Sequence, residues 1–249
     1  MTRRNIIYFL LACFMHFLLA GCNNNDDFIV TMMEVPTIIG YDNDFKCVTL
    51  HTPMGIFMAD VLNDLYIIDI LPGDPLLSFF SVNYDKQQIQ GYTSISHLDY
   101  ALRLIKELPQ ATEDGKSTGE DFEDFIDKID FIAMVSDKTL NNYVAFFKFT
   151  HNVHEDEEDV RFIYEMTYDP DEDSDIPTVY IRAKKMSDTG AFQAIPATFF
   201  YTFDLSNFLI ERRDSDNKLK VNIKYAYSIE NSEFFYQYWS GNPLELDFE

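Results

Sequence analysis

Cysteine is scarce in this chain: Cys13, Cys22 and Cys47 are the only three among 249 residues. Glycine signatures of catalysis are missing too. There is no Gly-x-Ser-x-Gly elbow, no phosphate-cradling loop and no dinucleotide fingerprint. Positive charge is short: 19 Lys and Arg stand against 42 Asp and Glu, a formal charge of −23. Phosphate backbones repel such a chain, which excludes nucleic acid as a partner. The same imbalance opposes adsorption on anionic lipid through the protein surface. Long apolar runs are limited to one, Ile6 to Leu19, and it falls short of the roughly 20 residues a bilayer core requires.

That run is the most specific feature present. Arg3 and Arg4 precede it, and it ends in Leu19-Ala20-Gly21-Cys22. A basic start, an apolar segment and small residues before the cut make residues 1–21 a secretory signal peptide. A cysteine directly after Leu-Ala-Gly makes it a bacterial lipoprotein signal, with Cys22 lipidated on sulfur as the mature N-terminus. Cys13 then leaves with the leader and Cys22 is occupied, so an intrachain disulfide is excluded. Loss of Arg3 and Arg4 leaves 17 basic against 42 acidic residues, a formal charge of −25. The membrane partner is expected to be reached through acyl chains.

The remainder is no disordered acidic tail. Apolar residues make up 47% of the chain and aromatics 16%, enough to bury cores. The 23 Phe and 15 Tyr suit strands better than helices. Residues 22–27 read as a polar tether. Strands are expected at Phe28–Val35, Asp44–Leu50, Ile56–Val61, Leu65–Leu71, Leu76–Tyr84 and Gln88–Ile95, separated by turn formers such as Pro72-Gly73-Asp74-Pro75. The period then changes. Leu98, Ala101, Leu102, Ile105 and Leu108 fall on one face of a predicted helix, with Ser96 and Asp99 as its capping box and Pro109 as its stop. His97 is expected to face solvent. Residues 109–128, polar and rich in turn formers, read as a linker between two modules spanning 28–108 and 129–249.

The second module reads as all strand: Phe131–Val135, Tyr143–Thr150, Val160–Tyr168, Pro177–Lys184, Thr198–Phe203, Lys218–Tyr227 and Glu233–Trp239. Alternation is cleanest where Leu219, Val221, Ile223 and Tyr225 interleave with Lys218, Lys220, Asn222 and Lys224. This number and spacing of strands point to a β-sandwich.

The lipobox and acidic tether Cys22-Asn23-Asn24-Asn25-Asp26-Asp27-Phe28, the first strand Phe28-Ile29-Val30-Thr31, and the late unit Phe199-Phe200-Tyr201-Thr202-Phe203-Asp204-Leu205-Ser206 carry a resemblance. The layout resembles the NigD-like lipoproteins of the Bacteroidota over most of the mature chain. The resemblance implies an all-β protein: an N-terminal OB-like barrel, here with one short helix, followed by a C-terminal β-sandwich. The family takes its name from a bacteriocin-associated locus, and the resemblance implies no catalytic residues. The six strands expected before the helix exceed the five of an OB barrel. The tether is similar to export signals that carry Bacteroidota lipoproteins to the cell surface. It implies an outer-membrane position, surface-exposed or otherwise facing the periplasm.

Several constellations could carry chemistry. Asp169, Asp171, Asp173 and Asp175 alternate and could converge on Ca²⁺, but an EF-hand would need Gly at Ser174 and Glu at Tyr180. A solvated hairpin turn is the expectation. His151 and His154 lie three apart beside Glu155–Asp159, without the further ligands zinc requires, and read as a charged loop. Cys47 and His51 share a strand face and could form a thiolate–imidazole pair. A small buried thiol is the simpler reading. Phe235 and Trp239 share one face of the last strand, Phe234, Tyr236 and Tyr238 the other. An exposed Phe235–Trp239 row would be a platform for sugar rings. No metal and no cofactor is expected. The expected function is a non-catalytic, lipid-anchored envelope module that binds or scaffolds a partner. The alternative is a surface glycan-binding lipoprotein serving nutrient uptake.

Overall fold

The computed structural model describes residues 28–59, 70–85, 92–116, 122, 124–137, 141–154, 160–186, 194–212, 218–230 and 233–247. The chain divides into two compact units, Met1–Arg103 and Leu104–Glu249.

The first unit is a closed five-stranded barrel of β1 (Ile29–Asp42), β2 (Cys47–Thr52), β3 (Gly55–Ala59), β4 (Pro75–Asn83) and β5 (Thr93–Arg103). Its order is β1-β2-β3-β5-β4 with β4 returning to β1. All neighbours are antiparallel except β3 and β5, where Phe57 faces Thr93. Closure depends on β1. It pairs with β4 over Ile29–Ile38 and with β2 over Ile38–Asp42, and a register shift between Met32 and Val35 interrupts the ladder with β4. Glu34, inside the shift, has φ 53°. The extra residue bends the strand. Met32, Val35, Ile39, Leu50, Phe57, Leu76, Phe80, Val82 and Ile95 fill the interior, the period-2 face that alternation prescribes.

Leu98–Leu108 is not helical. Leu98 to Arg103 belong to β5, which pairs with β4 throughout. Register shifts at Phe79/Phe80 and Ser81/Val82 make this strand irregular. Phe80 pairs with Leu98 and Phe79 with Tyr100, so Asp99 is the surplus residue. Leu98 and Ala101 therefore both reach the barrel core although three apart. A bulge imitated the helical period. Ile105 and Leu108 lie beyond the strand and are exposed. Expected strand Leu65–Leu71 falls mostly outside the described residues.

The second unit is a sandwich. One sheet runs β14 (Glu233–Tyr238), β13 (Lys218–Glu230), β11 (Thr178–Lys185), β10 (Phe162–Tyr168) and β7 (Gln110–Ala111), with β15 (Leu244–Asp247) also on β13. The other runs β6 (Lys106–Glu107), β12 (Ala194–Asp204), β9 (Asn142–His154) and β8 (Lys128–Asp137). Phe147, Phe149, Tyr201 and Phe203 from the second sheet meet Tyr164, Met166, Val179, Ile181, Val221 and Ile223 from the first in one core. The one helix of the described residues is α1 (Ser206–Arg212). The Asp204 carboxylate accepts from the Ser206 amide at 3.0 Å, and Leu205, Phe208 and Leu209 enter the core.

The stretch 109–128 expected as a linker is largely built into this unit. β6 pairs in parallel with β12 and β7 with β10, so six consecutive residues join an edge of each sheet. Further along, Gly115, Asp124 and Ile126 bond to the larger sheet. The Thr167 hydroxyl donates to the Gly115 carbonyl, the Asp124 amide donates to the Ala183 carbonyl at 3.1 Å, and the Ile126 amide to the Ala226 carbonyl at 2.8 Å. Polarity made this segment read as a linker; backbone hydrogen bonds, which composition does not reveal, hold it.

Candidate functional site

Cys22, the expected lipid site, lies outside the described residues. The described residues begin six positions later at Phe28, whose backbone amide donates to the Asp85 carboxylate.

In the barrel, Cys47 and His51 lie on the outer face of β2. Four strand residues separate them by about 13 Å. His51 is buried and its Nε2 is 3.0 Å from the Thr49 hydroxyl. Gly40 of the neighbouring strand makes room for this pair: a Cβ there would lie 2.3 Å from His51 Nε2 and 2.5 Å from Thr49 Oγ1. The imidazole is held by a threonine, not by the thiol.

The turn between β1 and β2 is built on Asp42. Its Oδ1 accepts from the amides of Asp44 at 2.8 Å and Phe45 at 3.0 Å. Its Oδ2 accepts from the Tyr92 hydroxyl at 2.8 Å. These donors, the Phe45 amide foremost, hold the carboxyl below its ordinary range, and the same bond holds the Tyr92 phenol above its own. Phe45 and Tyr92 meet edge to face at 6.1 Å. Tyr41 and Phe45 remain exposed. The loops joining β1 to β2 and β4 to β5 are where OB barrels take oligonucleotides and oligosaccharides. Sequence reading missed this cluster, since Tyr92 is fifty residues from Asp42. Only the barrel order brings them together.

In the sandwich, Asp169–Asp175 joins β10 to β11. The Asp169 carboxylate accepts from the Asp171 amide at 2.9 Å, and Glu172 accepts from the Thr178 amide at 2.7 Å. These acids shape a turn. Among the described residues no three His, Cys, Asp or Glu side chains converge as a metal site.

His151 is not in a charged loop. It lies within β9, 2% exposed, because the strand runs on to His154. His151 stacks on Phe162 at 3.8 Å, and its Nε2 is 2.9 Å from the Tyr164 hydroxyl. Burial pushes its pKa down to about 4, against the pull of Asp127. Burial likewise pushes the Tyr164 phenol up.

Trp239 lies just past β14, half-buried, edge-on to Phe131 at 6.0 Å and packed on the sandwich core. Phe235 is 39% exposed. Opposite them β13 carries a register shift, Ala226/Ser228. The opposite face is richer. Tyr236 meets Tyr180 at 5.1 Å, and the Lys224 ammonium sits 4.5 Å from the Tyr238 ring and 5.6 Å from that of Tyr180. On this outer face Arg182 and Glu165 form a buried ion pair at 3.3 Å.

The geometry defines a two-unit class, an OB-type barrel followed by a β-sandwich. No protein-family model matches the chain, and no curated protein matches it significantly. Solved structures do share the fold. An uncharacterised protein of Parabacteroides merdae has a TM-score of 0.66 at 15% identity, covering 82% of this chain and 94% of its own. A candidate lipoprotein of Bacteroides fragilis has 0.52 at 12% identity, covering 89% and 95%. A NigD-like immunity protein of Bacteroides caccae has 0.47 at 12%, covering 88% and 98%. At these identities the likeness concerns the fold.

Proposed function

We propose that this chain is a lipid-anchored protein of the outer membrane, exposed at the cell surface, that binds or scaffolds a partner without catalysis. The observation that carries the reading is the order Arg3-Arg4, apolar run, Leu19-Ala20-Gly21-Cys22, placed only six residues ahead of a folded barrel. Likeness in fold to the Bacteroides fragilis protein supports the same assignment. The NigD-like resemblance makes a bacteriocin-associated role the first partner class to test. Cell fractionation of wild type and Cys22→Ala tests the anchor. Wild type is expected in the outer membrane and the variant in soluble fractions, while an unchanged membrane share would overturn the reading. Surface exposure is tested by adding protease to intact cells, which should remove the wild-type protein.

A second reading, glycan binding, is supported by one observation. Phe45 and Tyr92 cluster around the Asp42 carboxylate at the loops where OB barrels bind oligosaccharides. Phe45→Ala and Tyr92→Ala should each weaken retention on an oligosaccharide array. Retention unchanged by both, or none by wild type, would remove this reading.

A further inference from the structure

We infer that the barrel end carrying Phe28, Ile29 and Tyr84 rests on the lipid surface as a second, non-covalent membrane contact; this rests on acylation of Cys22. Phe28, Ile29 and Tyr84 are 60%, 50% and 46% exposed. Phe28 and Tyr84 form one patch, and Ile29 follows on the alternate face of the same strand end. The Tyr84 amide donates to the Phe28 carbonyl at 3.0 Å, the two rings lie 5.9 Å apart, and Ile29 pairs with Asn83 across the β1–β4 ladder. Phe28 and Tyr84 continue the inward-facing phases of Val30 and Val82, so they overhang the open end of the barrel.

The length of chain before the patch selects the occupant. Six residues, Cys22–Asp27, separate the acylated position from Phe28. Fully extended they span at most about 20 Å, and as a flexible segment roughly 13 Å. An acyl chain fixes Cys22 at the headgroup level, so these three side chains cannot leave the neighbourhood of the bilayer. A tether this short gives the patch a high effective concentration at the lipid surface. Aromatic and aliphatic side chains at that depth gain by entering the interface. The chemistry is selective. Asp26 and Asp27 directly precede Phe28 in the sequence and the Asp85 carboxylate accepts from the Phe28 amide, so the surface the patch fits is zwitterionic, and the contact is insensitive to salt.

The test uses the full acylated chain in zwitterionic vesicles, with Trp239→Phe removing the native fluorophore. Phe28→Trp then reports the patch, with Tyr84→Trp as a second probe should the first misfold. Leu71→Trp is the control. Its loop is hydrogen-bonded to Ile39, ten residues and about 30 Å of strand from Ile29. Acyl chains brominated near the headgroup should quench the Phe28→Trp and Tyr84→Trp probes roughly two-fold and leave Leu71→Trp unchanged. A chain that floats with the vesicles and has an acylated N-terminal mass, yet shows no quenching of either patch probe, would overturn the inference and leave the anchor intact. A chain that neither floats nor carries acyl mass would remove both.

Discussion

The barrel and the sandwich solve the same problem, closing a set of strands, by different means. The barrel closes on itself through hairpins and one bent strand, and its core is small, with Phe57 and Phe80 as its rings. The sandwich keeps open sheets. It compensates with a larger aromatic core, Phe147, Phe149, Phe162, Tyr164, Tyr201 and Phe203, in which rings stack as closely as 3.9 Å. One edge of each sheet is covered by β6 or β7. The barrel therefore depends on backbone geometry at a few points, the sandwich on side-chain packing and on a segment borrowed from the connection. Full closure removes edges, whereas an open sheet must have them covered or charged.

The sharpest break in this comparison is Phe149→Ala. The side chain is fully buried and stacked on Tyr164, so the change should cost roughly 3–5 kcal/mol. Urea unfolding followed through Trp239, which packs on the same core, measures it. A loss under about 1 kcal/mol would mean the core collapses around the gap and packing is not what holds the sandwich.

Acid should weaken the sandwich through His151. The folded state depresses its pKa from 6.5 to about 4. Between those values the unfolded chain takes up a proton that the folded chain refuses. The stabilisation is thus full above pH 6.5 and lost as pH falls through that window, on the order of 3 kcal/mol in all. His151→Phe should flatten this part of the pH profile. An unchanged slope would assign the acid sensitivity to other groups.

The barrel should break at backbone contacts. Gly40→Ala places a methyl against His51 and Thr49 and should cost about 1–3 kcal/mol. His51→Ala in the same chain should recover part of that loss, because it removes the obstructing ring. Additive losses would show that the strand cannot accept a side chain there for another reason.

The smallest effect is Ser78→Ala. Its hydroxyl is buried on the inward phase of β4, with no hydrogen-bond partner among the described residues. Removing it should change stability by less than about 1 kcal/mol, in the favourable direction. A loss above 1 kcal/mol would show a partner for that hydroxyl and a polar element in the barrel core.

Alternation made most strands legible. Leu219, Val221, Ile223 and Tyr225 turn inward as their period requires, and β4 and β9 to β13 lie where β-rich runs stand between turn formers. Legibility failed wherever two distant segments meet. The bulge at Asp99 presented a strand as a helix, and the one helix, Ser206–Arg212, is too short to show a period. His151 read as loop because its neighbours Glu155–Asp159 are charged, although its own ring is packed among Phe162, Tyr164 and Phe199. The Asp42–Phe45–Tyr92 cluster had no sequence signal beyond the turn residues themselves.

The sequence by itself determined the acidic surface, the β-rich composition and the inward phase of the regular strands, because these depend on residue type and on a period of two. Only the tertiary structure decided the bulges, the burial of His151, the pairing of Lys106–Glu107, Gln110–Ala111 and Asp124 with the sandwich sheets and the pairing of Tyr92 with Asp42. Each of these depends on which remote backbone groups satisfy one another's hydrogen bonds, and local pattern carries no record of that.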